Sequence, residues 1–316
     1  FYSGKRWEFR EGHNRDLMPD EIHANEAVDF LKQTHDKPYL LTVGFSRPHS
    51  PWYAPQEYFD LFPLESVQLT PILENDVEDC AKILTQNHDL SEPWGWKKYE
   101  KIQKDGGDLQ LKKWTQAYLA CVAFVDAQVG KVLDAIEDRE DASNTLVIFT
   151  SDHGYHMGEK EYLFKFTPWE ESVRIPFVVS GPGVAVGREC KAPISLIDVY
   201  PTCLDFSSID SDYSLDGFSV RSLLENPDAT FWAGPAVSVA ASGSRAPIVK
   251  NTPAKIEDQH FSVRSDRFRY IRCRNGEEEF YDHSTDPNEW TNEIKNPSYT
   301  EAINEMRSEL NGFLNL

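Results

Sequence analysis

Thr150-Ser151-Asp152-His153-Gly154-Tyr155-His156-Met157-Gly158-Glu159-Lys160-Glu161-Tyr162-Leu163-Phe164-Lys165 is the stretch whose reading decides the fold. It follows the apolar run Thr145-Leu146-Val147-Ile148-Phe149, which reads as a short buried strand. The change to Asp152-His153-Gly154 sets a carboxylate and an imidazole at that strand's carboxyl end, where open α/β sheets keep their ligands. Gly154 permits a tight turn directly after them, and Gly158 a second close backbone approach. The pattern predicts a metal and anion site.

Upstream, Pro19 and Asp20 open a predicted helix with Ile22, Ala27, Val28 and Leu31 on one face. Tyr39 to Phe45 reads as a second buried strand, ending in the proline-stiffened loop Ser46-Arg47-Pro48-His49-Ser50-Pro51-Trp52. Residues 1–18 and the acidic stretch from Pro55 to about Asp108 read as loops, and so long a stretch without a period is either functional or mobile. A helix from about Leu109 to Asp138 feeds the motif strand. Downstream come a helical turn near Pro168–Glu171, a third strand at Ile175–Val179, a turn at Ser180–Gly183 and a helix from Leu196 to Phe206. Strands alternating with helices argue for a largely parallel sheet covered on both faces. After about residue 235 the period becomes two, and Asn275-Gly276 marks a hairpin, so 1–235 reads as an α/β core and 236–316 as an antiparallel subdomain closed by a helix from about Tyr299.

Acidic residues outnumber basic ones by 52 to 32, giving a net charge of −20, which argues against nucleic acid as a partner. A local positive pocket for a small anion is compatible with that field. No run of eighteen apolar residues occurs, so no membrane-spanning helix is predicted. The five cysteines (Cys80, Cys121, Cys190, Cys203, Cys273) form no C-x-x-C pair, which removes zinc-ribbon and thioredoxin readings. The first residue is Phe1 and no signal peptide follows it, so the sequence reads as a piece whose beginning lies elsewhere.

Each candidate residue has a plain structural reading beside the chemical one. Asp152 and His153 either cap the turn and pair with each other or ligate a metal, and the pair alone does not choose between calcium and zinc. His49 is either a surface residue or an imidazole aimed by Pro48 and Pro51 at an anion or leaving group. Arg47 is a supporting or surface cation, and Lys165, thirteen residues after Asp152, a solvated side chain or an anion ligand. A His153–His156 zinc pair is disfavoured, because the neighbouring glycines make a helix poor there. Trp94 and Trp96 either stack on sugar rings or pin their loop to the body, the second being preferred.

Taken together, these residues resemble the sulfatase family of the alkaline-phosphatase-like superfamily. Thr150-Ser151-Asp152-His153-Gly154, Gly158-Glu159 and Lys165 are similar to its second metal motif and sulfate-binding lysine, and Asp-His is most like iduronate-2-sulfatase-type enzymes. Phe45-Ser46-Arg47-Pro48-His49-Ser50-Pro51 resembles that group's Pro-His-x-Pro loop. Ser195 to Thr202, Leu215-Asp216-Gly217, Val263-Arg264 through Asp282, and Asp286-Pro287 follow its later landmarks in order. The resemblance implies an alkaline-phosphatase-like α/β fold, with a mostly parallel sheet sandwiched by helices and a smaller C-terminal antiparallel sheet. It implies Asp152 and His153 on Ca2+, His49 and Lys165 as catalytic and sulfate-binding groups, and Arg47 beside the substrate. It further implies a sulfated saccharide or other sulfate ester as substrate and a periplasmic, extracellular or lysosome-like location.

The family's nucleophile is a formylglycine made from the Cys or Ser of a Cys/Ser-x-Pro-x-Arg motif. No cysteine here has proline two positions later, and Ser46, which does, is followed by Ser50 where arginine is required. The first aspartate pair is also absent, so the chain resembles the C-terminal two-thirds of a sulfatase, with nucleophile and formylglycine expected upstream. Alone it is expected to be poorly stable, inactive, or completed by an N-terminal chain or segment, because its sheet edge and an apolar helix face would stand open. The rival readings are a Zn2+-dependent phosphodiesterase or phosphonate hydrolase of the same superfamily, and a non-catalytic sulfated-glycan-binding remnant.

Overall fold

Pro19 at the first helical turn, with Asp20 and Glu21 behind it, starts α1 (Pro19–Leu31) as the sequence predicts. The computed structural model describes residues 15–87, 89–90, 94–229, 236–241 and 255–315. Most of the polar opening read as a loop, and the boundary placed at 235, lie outside the described residues. In chain order the further elements are α2 (Gln56–Asp60), α3 (Lys82–Thr85), α4 (Trp94–Glu137), β1 (Val147–Thr150), β2 (His156–Met157) and β3 (Leu163–Phe164). Then follow α5 (Glu170–Val173), β4 (Phe177–Ser180), α6 (Val199–Phe206), α7 (Arg221–Glu225), β5 (Ala236–Ala241), β6 (Gln259–Arg264), β7 (Phe268–Arg272), β8 (Glu278–Asp282) and α8 (Thr300–Leu314). The chain divides into two compact units, residues 1–70 with 101–145, and residues 71–100 with 146–316.

In the first unit, α1 buries Ala24, Ala27 and Leu31 against Val132 of α4. Tyr39, Leu41, Val43 and Phe45 pack on that cluster, whereas Leu40 and Thr42 between them are exposed. The alternation is that of extended chain, yet 39–45 is not a strand. Side-chain periodicity sets the two faces, but a strand also needs a neighbour to bond its backbone, and this segment has no ladder among the described residues. The stretch read as a loop up to Asp108 is also partly helical: α4 begins at Trp94 and is interrupted at Gly106 (φ 159°) and Gly107 (φ 57°). Trp96, Tyr99 and Ile102 carry its inward spacing, hidden in the sequence by the lysines and glutamates around them.

In the second unit β1 pairs β4 with Thr150 opposite Phe177, and β2 pairs β3. The four-stranded sheet runs β5-β6-β7-β8, with Gly276 at φ 87° in the turn that Asn275-Gly276 predicts. Every ladder among the described residues is antiparallel, so the parallel pairings expected from strand–helix alternation have no counterpart among them. One face of the sheet, with Phe261, Val263, Tyr270 and Phe280, packs on Ile303, Met306 and Leu310 of α8. Burial of such side chains contributes about 1.5–3 kcal/mol each. The opposite face is buried as well: Ser262, Arg269, Glu279 and Tyr281 are all fully enclosed.

The tryptophans pin the start of α4 to the motif hairpin. Trp96 is buried edge-on to Tyr162 at 4.7 Å, and Trp94 meets Phe164 at 4.1 Å. Between them Gly95 has no room for a side chain, since a Cβ would stand 2.4 Å from the Leu163 carbonyl oxygen.

Candidate active site

The β2–β3 hairpin turns the chain back so that Lys165 returns to the end of β1. Its Nζ lies 2.6 Å from His153 Nε2, and Asp152 Oδ2 lies 3.6 Å from the same nitrogen. His153 Nδ1 sits 2.8 Å from the Gly154 carbonyl oxygen, which can only accept, so Nδ1 carries the proton and Nε2 a lone pair. A carboxylate oxygen and a bare imidazole nitrogen side by side attract a cation, and here the Lys165 ammonium faces them. Asp152 has 83% of its side chain exposed and is a hard oxygen donor open to a ligand. This donor pair fits one half of a divalent-cation shell, with His153 exchanging its bond from Lys165 for the ion.

The backbone around Lys165 is unusual on both sides. Phe164 has φ 91° and Phe166 φ 72°, conformations that bulky residues adopt at a cost on the order of 1–3 kcal/mol each. Phe166 is exposed, and the Lys165 ammonium lies 5.4 Å from the centre of its ring. Strain of this kind persists where surrounding contacts over-determine it. Nearby, the Gly154 N–H donates to the Ser172 carbonyl at 2.8 Å and ties the motif turn to the residues of Glu170–Val173. A Cβ at Gly154 would stand 2.1 Å from the Glu171 carbonyl oxygen, so Gly154→Ala is expected to destabilise the fold by at least about 1–3 kcal/mol. Urea unfolding of the variant checks this; a wild-type midpoint would refute it.

His156 is no partner of His153. It is fully buried, with Nδ1 donating to the Glu159 carbonyl at 3.1 Å and Nε2 2.7 Å from Thr167 Oγ1. Burial pushes its pKa down to about 4. Glu171 moves the other way, to about 7, through burial and then the charges of Glu159, Glu289 and Glu170. Between pH 4 and 6.5 only unfolded His156 is protonated, so its contribution, on the order of 3 kcal/mol, is lost as pH falls. Between pH 4.5 and 7 folded Glu171 holds a proton that the unfolded chain releases, so its contribution is lost as pH rises. The two oppose each other where the windows overlap. Glu171→Gln is therefore expected to steepen the acid-side loss of stability, and His156→Gln to flatten it, in unfolding measured from pH 4.5 to 6.5. Unchanged slopes would contradict both assignments.

Arg47 and His49 lie in the first unit. Their loop is tied down by buried Asp20, whose two oxygens accept from the backbone N–H groups of Ser46 (2.8 Å) and Arg47 (2.9 Å). Arg47 donates to the carbonyls of His49 and Tyr53, so its guanidinium shapes the loop. His49 is exposed and donates from Nδ1 to the Ser50 carbonyl at 2.5 Å, which leaves Nε2 to face another partner.

Sequence reading missed a buried ionic cluster beneath the motif. Glu170, His283 and Glu289 lie close enough to suggest a metal site, but the Arg269 guanidinium bonds both carboxylates and supplies the cation itself. Burial acts to raise Glu289, yet Arg269 and His283 bring it to about 2. Lys160, also buried, donates to Asp76 at 2.8 Å and to the Glu289 carbonyl. The available signal was Arg269 in the middle of a strand.

Solved structures share this fold. A protein in complex with its substrate D-glucosamine-2-N,6-O-disulfate superposes with TM-score 0.70 at 21% identity, over 94% of this chain and 70% of that one. A phosphonate monoester hydrolase from Silicibacter pomeroyi gives 0.76 at 18%, over 94% and 60%. The fold class is thus the alkaline-phosphatase-like one, mixed α/β with a C-terminal antiparallel sheet. Within that class the chain belongs to the sulfatase family, whose model matches residues 3–209, with the C-terminal model of N-sulphoglucosamine sulphohydrolase matching 158–315. A sulfatase of Formosa agariphila is 33% identical over 93% of this chain and 54% of its own length. The mouse iduronate 2-sulfatase is 33% identical over 52% of this chain and 31% of its own length. The chain spans about half the length of the curated relatives it matches most fully.

Proposed function

We propose that the protein is a sulfuric ester hydrolase acting on a sulfated saccharide, and that this chain carries the metal-binding and sulfate-binding half of its centre. The observation that supports it best is the contact of Lys165 Nζ with His153 Nε2 at 2.6 Å beside Asp152, in a chain of the sulfatase family. The saccharide assignment draws on the neighbour bound to a disulfated glucosamine. Residues 1–235 serve as core and 236–316 as a C-terminal subdomain in this reading.

Asp152 and His153 would hold the divalent metal, Ca2+ in our assignment, which when bound supplies positive charge to orient sulfate and nucleophile. Lys165 donates its ammonium protons to sulfate oxygens and balances the charge that grows there as the S–O bond breaks. His49, with its Nδ1–H committed to the Ser50 carbonyl, would act on the sulfate or leaving oxygen as the imidazolium, donating from Nε2. Arg47 holds that loop. The nucleophile, formylglycine, comes from residues outside this sequence. A location outside the cytoplasm is part of this reading and draws on a relative named as an extracellular sulfatase in Drosophila melanogaster.

Protein expressed from the whole reading frame is expected to release sulfate from an aryl sulfate and from a sulfated saccharide faster than it cleaves an aryl phosphate diester. Metal content measured on the same sample should be calcium. A faster phosphate diester reaction with bound zinc would favour the phosphonate-hydrolase class, and glycan binding without turnover would favour a binding remnant.

A further inference from the structure

We propose that Arg269, on the C-terminal sheet, is a positioning residue for Lys165; the inference rests on the reading of Lys165 as the sulfate-binding group. Arg269 is fully buried on the face of β7 away from α8, opposite Tyr281 in the ladder. Its Nε bonds Glu289 Oε1, one terminal nitrogen donates to Ser262 Oγ at 2.6 Å, and the other bonds Glu170 Oε2. Glu289 Oε2 in turn accepts the Glu170 backbone N–H at 2.9 Å. Glu170 is therefore held by both its side chain and its backbone.

Glu170 is the first residue of α5, and Ser172 of the same short helix bonds both the motif and the segment that follows it. Ser172 Oγ bonds the Thr167 hydroxyl at 2.8 Å, and the Ser172 carbonyl accepts the Gly154 N–H at 2.8 Å. Thr167 lies two residues after Lys165, and Gly154 directly follows His153. One guanidinium thus fixes the α5 turn, and that turn fixes both partners of the His153–Lys165 contact. Trp169, beside Glu170, adds an Nε1–H bond to Glu279 of β8 at 2.7 Å, so the same turn is anchored to two strands. The planar fork of arginine is required, because a lysine ammonium keeps the charge but cannot span Glu289, Ser262 and Glu170 together. Displacement of a catalytic group by about 1 Å lowers rates on the order of a hundredfold.

The test uses Arg269→Lys and Glu170→Gln in protein from the whole reading frame. Amide exchange of the peptide spanning 162–174 is expected to rise about tenfold in both, with α8 keeping wild-type protection. The kcat for a sulfate ester should fall roughly ten- to hundredfold with a smaller change in KM. Adding Arg269→Lys to Lys165→Ala should cause a clearly smaller further loss of rate than Arg269→Lys causes alone, the remainder reflecting His153. Wild-type exchange in 162–174, or fully additive losses, would overturn the proposal. The exchange measurement needs no turnover, so it judges Arg269 even where Lys165→Ala leaves the rate untouched, the result that would refute Lys165 itself.

Discussion

Lys165→Ala is expected to lower turnover of a sulfate ester by roughly a hundredfold or more, on the order of 3 kcal/mol of transition-state stabilisation. The reason lies in where charge grows. As the S–O bond breaks, sulfate oxygens and leaving oxygen gain negative charge, and a fixed ammonium is worth more there than in water. Lys165 is half-buried and held between His153 Nε2 and the Phe166 ring, on a backbone with positive φ at both neighbours. Lys160, five residues earlier, is the contrast: it is buried and consumed by Asp76 and the Glu289 carbonyl, so its removal should weaken folding. His49→Ala should produce a loss of the same order as Lys165→Ala. Sulfate release measured on both variants from the whole reading frame decides; wild-type rates would remove these residues from the centre.

Arg269→Met should destabilise the fold by about 3–5 kcal/mol, because it takes from buried Glu289 and part-buried Glu170 the guanidinium that bonds both. Urea unfolding compared with Arg188→Met provides the control, since the Arg188–Asp228 pair is exposed and such pairs contribute about 0–1 kcal/mol. A similar loss from both variants would show that the cluster is not special. The acid side of the stability curve gives a second view. Glu289, held at about 2, contributes stability that is lost as pH falls from its unfolded value near 4.5 toward 2.

Much of the architecture could be read along the chain. The apolar run before Asp152, the proline and acidic residues opening α1, and the period-two segments around Asn275-Gly276 each appear as elements close to the expected positions. Misreadings share one cause. Tyr39–Phe45 alternates like a strand but has no ladder partner among the described residues, and the helix from Trp94 conceals its inward residues among charges. In both, local pattern specifies a face, whereas element type depends on what lies against it.

The approach of Lys165 to Asp152 and His153 was legible for a related reason. Asp152, His153 and Lys165 flank one short hairpin, so sequence spacing keeps them near, and the turn at Gly154 and the short β2–β3 ladder complete the approach. Arg269 went unread because a charged residue in an alternating strand reads as the solvated face. Only the tertiary structure, by laying Glu170, Lys160 and Trp169 over that face, buries it. Burial then drives polar and charged groups there to partners far away in the chain, 129 residues from Lys160 to Glu289, 110 from Trp169 to Glu279 and 99 from Glu170 to Arg269, which no local pattern encodes.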